Sequence, residues 1–325
     1  MAPGLVSDPP AENHHSVFKP TVYLLDNFHP QVMAFCDDNF NAITLDHPLH
    51  SKWREDARYL LIRSATLTTK DIELCPNLVA IGKQGVGIDK IDANACAARD
   101  IKIFNTPGVN AQAVAELALT LTMASARQVG SIVARQSSGI LVPKEKCSGL
   151  ILHRKTIGIL GMGNIGKAVS RMFRGAFEAE VVAYDPFLPA DAWAEIRHKR
   201  AESVEEVLQL SDVATVHMPL TPQTRDLIGY PEMKKMKKTA ILINTARGGI
   251  VNEADLKRAL SEGIIWGAGL DCHEQEPPSH ERYQDLWDLG VVSTPHIGAA
   301  TAETQMQTGL AAANYLLEYA KSRAF

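Results

Sequence analysis

Three polar side chains in the C-terminal half of the chain could together transfer a proton beside a bound anion. Arg247, Glu276 and His296 each lie a few residues after a short apolar run that is typical of a buried strand. Open α/β sheets bind ligands at the carboxyl ends of their strands, so we expect the three side chains to share a site. An Arg would hold a carboxylate and polarise a carbonyl, a His would exchange a proton, and a carboxylate would orient that His. The set therefore fits the roles that hydride transfer to a 2-keto acid would require, given a dinucleotide bound nearby.

A glycine-rich loop at residues 156–167 would bind the nucleotide that such a reaction needs. The segment reads T-I-G-I-L-G-M-G-N-I-G-K, in which G-x-G-x-x-G follows an apolar strand and opens a helix. Gly161 allows the tight turn, Gly163 lets a pyrophosphate approach the backbone, and Gly166 lets helix and strand pack closely. Asp185 ends the next predicted strand, where a carboxylate would bind ribose hydroxyls and repel the 2′-phosphate of NADP. The segment therefore predicts NAD as the cofactor.

The elements that must position these residues form two alternating α/β series. Near-continuous apolar strands alternate with helical patterns, which predicts parallel sheets covered on both faces. Predicted strands are 21–25, 42–45, 59–63, 78–82 and 101–104, then 156–160, 181–184, 213–217, 240–244, 266–270 and 291–293. Predicted helices are 69–74, 92–99, 111–127, 164–174, 204–210, 232–236, 253–262 and 301–320, with an irregular loop at 137–146. Helix 111–127 is apolar nearly all round, which is typical of a buried helix.

Composition excludes several other classes of protein. The 325 residues are 46% apolar and 22% charged, with 33 basic and 37 acidic residues and a net charge of −4. This balance argues against a broad nucleic-acid face, and no apolar run is long enough to cross a membrane. The five cysteines form no C-x-x-C pattern, which favours reduced thiols and a cytoplasmic location. No metal-ligand spacing is evident, and residues 1–18 read as a disordered lead-in.

In chain order, G-x-G-x-x-G with Asp185, T-A-R-G-G, L-D-x-x-x-x-E-P-P and P-H-I-G-A-A-T resemble the D-isomer-specific 2-hydroxyacid dehydrogenase family. The resemblance covers nearly all of residues 21–319. It implies two Rossmann-like domains, one flavodoxin-like and one doubly wound, with a cleft between them, and it implies NAD and a homodimer. The expected substrate-binding domain is 19–107 with 298–325, and the expected NAD-binding domain is 108–297.

The resemblance also implies roles for individual residues. Arg247 would bind substrate and Glu276 would pair with His296, the acid/base. The cofactor would be bound by Gly161, Gly163, Asn164, Ile165, Gly166, Asp185, Thr245, Ala246, Arg247, Asp271, His296 and Gly298. The substrate would be bound by Arg63, Ser64, Val86, Gly87, Arg247 and His296, with the backbone N–H groups of residues 86 and 87 facing its carboxylate.

Several alternatives stay open at this point. The segment R-S-A-T at 63–66 resembles the phosphoglycerate dehydrogenase branch, in which an Arg can meet a phosphate. Glyoxylate, hydroxypyruvate or a ketogluconate are the other expected substrates, and Glu276 disfavours a formate dehydrogenase, where Gln is expected. A non-enzymatic NADH-sensing module like the corepressors of this fold is the alternative function. Cys272 and His273 depart from the usual apolar-aromatic pair after Asp271.

Overall fold

The computed structural model describes residues 19–189 and 191–323. The predicted lead-in, residues 1–18, lies outside this range. The described chain divides into two compact units, the first formed by residues 19–105 and 309–323 and the second by residues 106–308. The division therefore follows Asn105 and Thr308, and the substrate and cofactor roles assigned to the two parts remain predictions.

The first unit contains a five-stranded parallel sheet in the order β2-β1-β3-β4-β5. This is the flavodoxin-like strand order. Its strands are β1 Thr21–Leu24, β2 Asn41–Ile43, β3 Tyr59–Ile62, β4 Ala80–Lys83 and β5 Lys102–Phe104. Its helices are α1 Pro30–Asn39, α2 Trp53–Asp56, α3 Thr69–Glu73 and α4 Ala93–Ala98, with a 3-10 turn at His50–Lys52. Strands β3 and β4 are buried along their whole length, because a parallel sheet is covered on both faces.

The second unit contains a seven-stranded sheet in the order β12-β11-β10-β9-β6-β7-β8, again parallel throughout. Its strands are β6 Thr156–Leu160, β7 Glu180–Tyr184, β8 Lys199–Arg200, β9 Val213–Val216, β10 Ile241–Asn244, β11 Gly267–Leu270 and β12 Val292–Ser293. Its helices are α5 Ala111–Ala126, α6 Val129–Ser137, α7 Asn164–Phe177, α8 Val204–Leu210, α9 Tyr230–Met233, α10 Glu253–Ser261 and α11 His280–Asp288. The strand order reverses between β6 and β9, as in doubly wound folds, and the predicted fold class is confirmed.

Helix α5, which the sequence predicts to be buried, lies against the core. Half of the 16 residues of α5 are buried, and the helix packs against the core of the second unit. The last helix, α12, spans Ala302–Ser322, and its residues from Gly309 on belong to the first unit. There Ala312 and Leu316 lie against Gly82 of β4, where a Cβ atom would come within 3.0 Å of the Ala312 carbonyl oxygen.

The segment after α5 is more regular than the sequence indicated. Helix α6 extends to Ser137, and a 3-10 turn at Lys144–Lys146 interrupts the predicted loop. Among the described residues no single helix has the length and apolarity to cross a bilayer, and only α5 and α6, bent by 66°, meet that criterion as a pair.

Candidate active site

Three glycines shape the loop between β6 and α7. Two lie too close to other backbone atoms to allow a side chain, and the third faces open space. At Gly161, which has a φ of +103°, a Cβ atom would lie 2.5 Å from the carbonyl oxygen of His217. At Gly166 it would lie 2.2 Å from the carbonyl oxygen of Gly161, whereas at Gly163 it would meet nothing within 4 Å. Two glycines therefore allow backbone packing, and the third leaves space in front of α7.

The start of α7 has the features of an anion-binding site. No side chain caps this 14-residue helix, whose first residues are Asn164 and Ile165. The first amides of a helix lack intrahelical partners and attract negative charge. The hydroxyl of Thr245, in the loop after β10, is buried without a hydrogen-bond partner among the described residues. These features fit the pyrophosphate and the nicotinamide side of the predicted NAD.

Asp185 follows β7 and fixes the glycine loop in addition to its predicted role. Its carboxylate accepts hydrogen bonds from the backbone N–H groups of Met162, at 2.9 Å, and Phe187, at 3.0 Å. The guanidinium of Arg200 on β8 donates to the Asp185 carbonyl oxygen at 2.8 Å and to two further carbonyl oxygens of the same turn. The sequence did not predict the contact with Arg200, because Arg200 reaches Asp185 from the neighbouring strand β8.

Glu276 and His296 form the predicted pair. Nδ1 of His296 lies 3.0 and 2.9 Å from the two carboxylate oxygens of Glu276. An ionised carboxylate only accepts, so Nδ1 carries the proton and donates it. Nε2 of His296 forms no hydrogen bond within the described part of the chain. Burial raises the pKa of Glu276, but the hydrogen bond and charge of His296 and the N–H of His273 outweigh it, so this pKa lies below its ordinary value.

Asp271 holds the loop that carries His296. Its carboxylate is buried and accepts hydrogen bonds from the Thr294 hydroxyl at 2.6 Å and from the N–H groups of Ile297 at 2.8 Å and Gly298 at 2.9 Å. The carbonyl oxygen of Asp271 accepts the N–H of His296 at 2.8 Å. These bonds stabilise His296 in the left-handed region, at φ +58°, which L-residues seldom adopt. The predicted contacts of Asp271 and Gly298 with NAD stay predictions.

The loop after β10 brings Arg247 beside the loop that carries Glu276. The Asn244 side chain accepts from the Ala246 N–H at 3.0 Å and donates to the Arg247 carbonyl oxygen at 2.8 Å. A guanidinium nitrogen of Arg247 donates to the Ala246 carbonyl oxygen at 2.6 Å. A Cβ atom at Gly248 would lie 2.0 Å from the His273 backbone, so only glycine permits this approach. Sequence reasoning did not assign Asn244 and Gly248 these positioning roles.

Cys272 completes a compact cluster with the acid/base pair. Ligand atoms of Cys272, Glu276 and His296 lie within 4.8 Å of one another. The Cys272 thiol is buried and lies 3.3 Å from the Ala246 carbonyl oxygen. Residue spacing indicated no metal site here, because His296 follows a different strand than the other two residues.

In the first unit, Asp26 organises the loop that contains Arg63 and Ser64. Its carboxylate accepts the N–H groups of Arg63 at 2.7 Å and of Ser64 and Ala65 at 3.1 Å each, and the Ser64 hydroxyl at 2.6 Å. The Ser64 hydroxyl is thus bound within the unit, while Arg63 is exposed. Asp26 was missed because it follows a different strand.

The predicted carboxylate loop at Val86 and Gly87 follows β4 in the same unit. The ammonium of Lys83, which is buried, donates to carbonyl oxygens of the loops after β3 and β4, at 2.7 and 2.6 Å. The Asn105 amide donates to the Val86 carbonyl oxygen at 2.6 Å. The amides of Val86 and Gly87 thus sit in a loop whose first residues are held by Lys83 and Asn105, at the carboxyl edge of the sheet.

His217 should make the second unit sensitive to acid. Burial lowers its pKa from 6.5 to about 3, and its Nδ1 has no partner among the described residues. The folded chain therefore keeps it neutral while the unfolded chain binds a proton below pH 6.5, so stability falls as pH decreases from about 6.5 toward 3. One proton gives a slope of at most about 1.4 kcal/mol per pH unit. In urea unfolding at pH 7.5 to 4.5, His217→Gln should flatten this dependence, whereas His280→Gln, at an exposed site, should not.

Known proteins are similar to this chain in sequence and in fold. Residues 119–298 match the family model of the D-isomer specific 2-hydroxyacid dehydrogenase NAD binding domain. A D-3-phosphoglycerate dehydrogenase of Methanocaldococcus jannaschii is 38% identical over 256 residues, covering 78% of this chain and 48% of the relative. A hydroxypyruvate reductase of Thermotoga maritima is 40% identical over 254 residues, covering 77% of this chain and 81% of the relative.

A solved structure is similar along most of the chain. The TT0316 protein of Thermus thermophilus has a TM-score of 0.82 at 31% identity, covering 93% of this chain and 97% of that chain. The chain spans about half the length of the D-3-phosphoglycerate dehydrogenases that it matches.

Proposed function

We infer that this chain, which belongs to the D-isomer specific 2-hydroxyacid dehydrogenase family, interconverts a 2-keto acid and a D-2-hydroxy acid with NAD. The observation that carries the proposal is the pair formed by Glu276 and His296, in which Nδ1 is bound to the carboxylate and Nε2 is left for a substrate. This is the geometry that an acid/base catalyst needs. NAD, held by the glycine loop and Asp185, would supply the hydride chemistry of the reaction.

The chain's own residues would bind the reactants and move the proton. The amides at the start of α7 would hold the pyrophosphate, and Asp185 the ribose. Arg247 would bind the substrate carboxylate and polarise the carbonyl, as a planar cation can do. His296 would give a proton from Nε2 to the forming alkoxide while Glu276 holds the proton on Nδ1. In oxidation the same nitrogen would accept the proton.

The proposal is tested by NADH consumption with a panel of 2-keto acids. The panel holds 3-phosphohydroxypyruvate, hydroxypyruvate, glyoxylate and a ketogluconate. Oxidation of NADH with at least one of them supports the enzyme. An NADH-sensing module would bind NADH and consume none, and that result would replace the proposal with the corepressor-like alternative.

Replacing Asp185 tests the preference for NAD. Asp185→Asn keeps an acceptor for the Met162 N–H but removes the charge, so binding of NADPH should improve relative to NADH. We expect the ratio of kcat/KM values to shift by at least about fivefold, since unit charges about 4 Å apart interact by about 1 kcal/mol even in water. The control Asp191→Asn, at an exposed site in the same segment, should leave the ratio unchanged. A wild type that prefers NADPH would contradict the role of Asp185.

We propose 3-phosphoglycerate and its keto form as the first substrate pair to test, because D-3-phosphoglycerate dehydrogenases are among the relatives and Arg63 is exposed at a strand end. Arg63→Ala should lower kcat/KM for 3-phosphohydroxypyruvate about tenfold or more relative to hydroxypyruvate, since hydrogen bonds to charged groups are worth roughly 1.5–3 kcal/mol. Arg58→Ala, also exposed in this unit, is the control. An equal loss on both substrates would show that Arg63 does not bind the phosphate.

We also propose a homodimer and a cytoplasmic location. Large apolar side chains are exposed in and after α6, at Val129, Val133, Ile140, Leu141 and Ile151, and Leu141 is 87% exposed. Several exposed apolar side chains within one short stretch of the chain are typical of a protein interface, and a second copy would cover them. The cysteines form no disulfide among the described residues, which supports a reducing compartment. Sedimentation equilibrium would measure the assembly.

A further inference from the structure

We propose that Cys272, Glu276 and His296 form an inhibitory binding site for Zn²⁺. Their ligand atoms, a sulfur, an oxygen and a nitrogen, lie within 4.8 Å of one another. Bonds to Zn²⁺ of about 2.3 Å from sulfur and about 2.0 Å from nitrogen or oxygen place tetrahedral ligand atoms about 3.5 Å apart. Nδ1 of His296 and a carboxylate oxygen of Glu276 are already 2.9 Å apart. To reach the tetrahedral spacing, each side chain needs to move by less than about 1 Å.

The two loops that carry these ligands are held in place by other contacts. The carboxylate of Glu253, which is buried, accepts the Glu274 N–H at 2.8 Å and the Tyr283 hydroxyl at 3.0 Å. The Tyr283 oxygen in turn accepts the Gln275 N–H at 3.0 Å. Asp271 fixes the His296 loop through its three hydrogen bonds. A site whose ligands are fixed before the ion arrives loses little conformational entropy on binding.

The chemistry of the three donors favours Zn²⁺ over Mg²⁺ or Ca²⁺. Thiolate and imidazole are ligands for Zn²⁺, whereas Mg²⁺ and Ca²⁺ prefer oxygen ligands alone. On binding, the Cys272 thiol releases its proton to solvent and a sulfur–zinc bond forms. The neutral imidazole of His296 moves its proton from Nδ1 to Nε2 through solvent, so that Nδ1 can bind the ion, and no oxidation state changes. The thiolate and the Glu276 carboxylate then balance the charge of the ion. Three protein ligands leave a fourth position for water or a substrate oxygen.

Binding would stop catalysis by removing the acid/base pair. The ion replaces the proton on His296 Nδ1 and binds the Glu276 carboxylate that held it, and an imidazole bound to a dication resists taking up a further proton. The form of His296 that donates a proton is then not reached. This consequence for activity rests on the proposed function, whereas binding of the metal does not.

The site is tested on the 325-residue chain, without NAD or substrate, using Co²⁺ as a spectroscopic substitute for Zn²⁺. A cysteine–Co²⁺ bond gives a thiolate-to-metal absorption band, and we expect one Co²⁺ per chain, displaced by Zn²⁺. The band should persist in Cys147→Ser, which removes a thiol outside the cluster, and disappear in Cys272→Val. Glu276→Gln acts on a partly exposed side chain and keeps the test valid should Cys272→Val not fold.

Variants that weaken Zn²⁺ binding should also reduce the inhibition of the enzyme by Zn²⁺. Replacing a residue that only supports a metal ligand costs about 10- to 100-fold in affinity, so losing Cys272 or Glu276 as a ligand should weaken Zn²⁺ binding at least about 100-fold. Zn²⁺ should inhibit the wild type, EDTA should restore its activity, and Cys272→Val should resist inhibition relative to its own rate without metal.

Two results would overturn the site: equal Zn²⁺ affinity in the wild type and in both cluster variants, or loss of the band in Cys147→Ser. A chain that binds Co²⁺ through Cys272 but reduces no 2-keto acid would refute the proposed function and leave the metal site standing. Turnover of a 2-keto acid without metal binding would refute the metal site alone.

Discussion

Replacing His296 with alanine is expected to lower kcat for 2-keto acid reduction by about 10²- to 10⁴-fold, the usual contribution of a positioned acid/base group. The imidazole is bound to Glu276 through Nδ1, and no group among the described residues hydrogen-bonds to its Nε2. Its loss therefore removes the proton donor without breaking a hydrogen bond of the core. Binding of NADH, followed by fluorescence, should weaken far less than kcat falls, because the glycine loop and Asp185 are untouched and His296 is only one of the expected cofactor contacts.

Two further variants show whether the loss of kcat comes from the missing proton donor or from the removal of any histidine. Glu276→Gln should reduce kcat less than His296→Ala, because the imidazole remains in place. His280→Ala removes a histidine at an exposed helix start and should leave kcat unchanged. A His296→Ala enzyme with more than about a tenth of the wild-type kcat would show that another group donates the proton, and the role of His296 would have to be abandoned.

The sequence predicts this pair because the two motifs follow neighbouring strands. Glu276 follows β11 and His296 follows β12, and these strands are adjacent in the sheet. Arg247 follows β10, the next strand along. Because the strands are parallel, all three carboxyl ends lie at one edge of the sheet. Residues that follow these strands at a distance along the chain are therefore close in the folded unit. The glycine loop is predictable in part because the contact of Gly166 with the Gly161 carbonyl arises within the loop itself. The contact of Gly161 with His217 comes from the segment after β9 and depends on the folded sheet.

The elements that the sequence did not predict contain few buried apolar residues. Helix α11 buries only Tyr283 and Leu286 among its nine residues, and α1 buries only Val32 and Cys36 of ten. Strand β8 consists of a lysine and an arginine, which are uncommon in buried strands. These elements form because they pack against a larger core, and residue periodicity alone indicates such packing poorly.

The contacts that hold the site join loops that are far apart in the sequence and close together in the folded chain. The glycine at 248 is required only because the backbone of His273 lies against it, and nothing near 248 in the sequence indicates that. Asp271 was predicted as a cofactor contact from a motif, while its three hydrogen bonds to the His296 loop emerge only in the folded chain. Motifs thus predict which residues react, and tertiary structure adds what positions them.

Replacing Arg247 with alanine should cost about 3 kcal/mol or more in transition-state stabilisation, the scale for removing a charged group that binds the developing oxyanion. Both kcat and kcat/KM should fall, because the guanidinium polarises the carbonyl as well as holding the carboxylate. Loss of carboxylate binding alone would raise KM and leave kcat unchanged. Steady-state kinetics with the best acid of the panel distinguish the two.

Arg247→Lys tests whether charge alone is sufficient. In the structure one guanidinium nitrogen donates to the Ala246 carbonyl oxygen at 2.6 Å, which fixes the plane of the group. A lysine ammonium is a point charge on a flexible chain and cannot hold that bond and bind a carboxylate through two parallel bonds. Lysine should therefore recover little of the activity lost in Arg247→Ala. The control Arg258→Lys, at an exposed ion pair with Glu262, should keep the wild-type kcat. If Arg247→Lys also kept it, the planar fork would be unnecessary, and Arg247 would contribute only its charge.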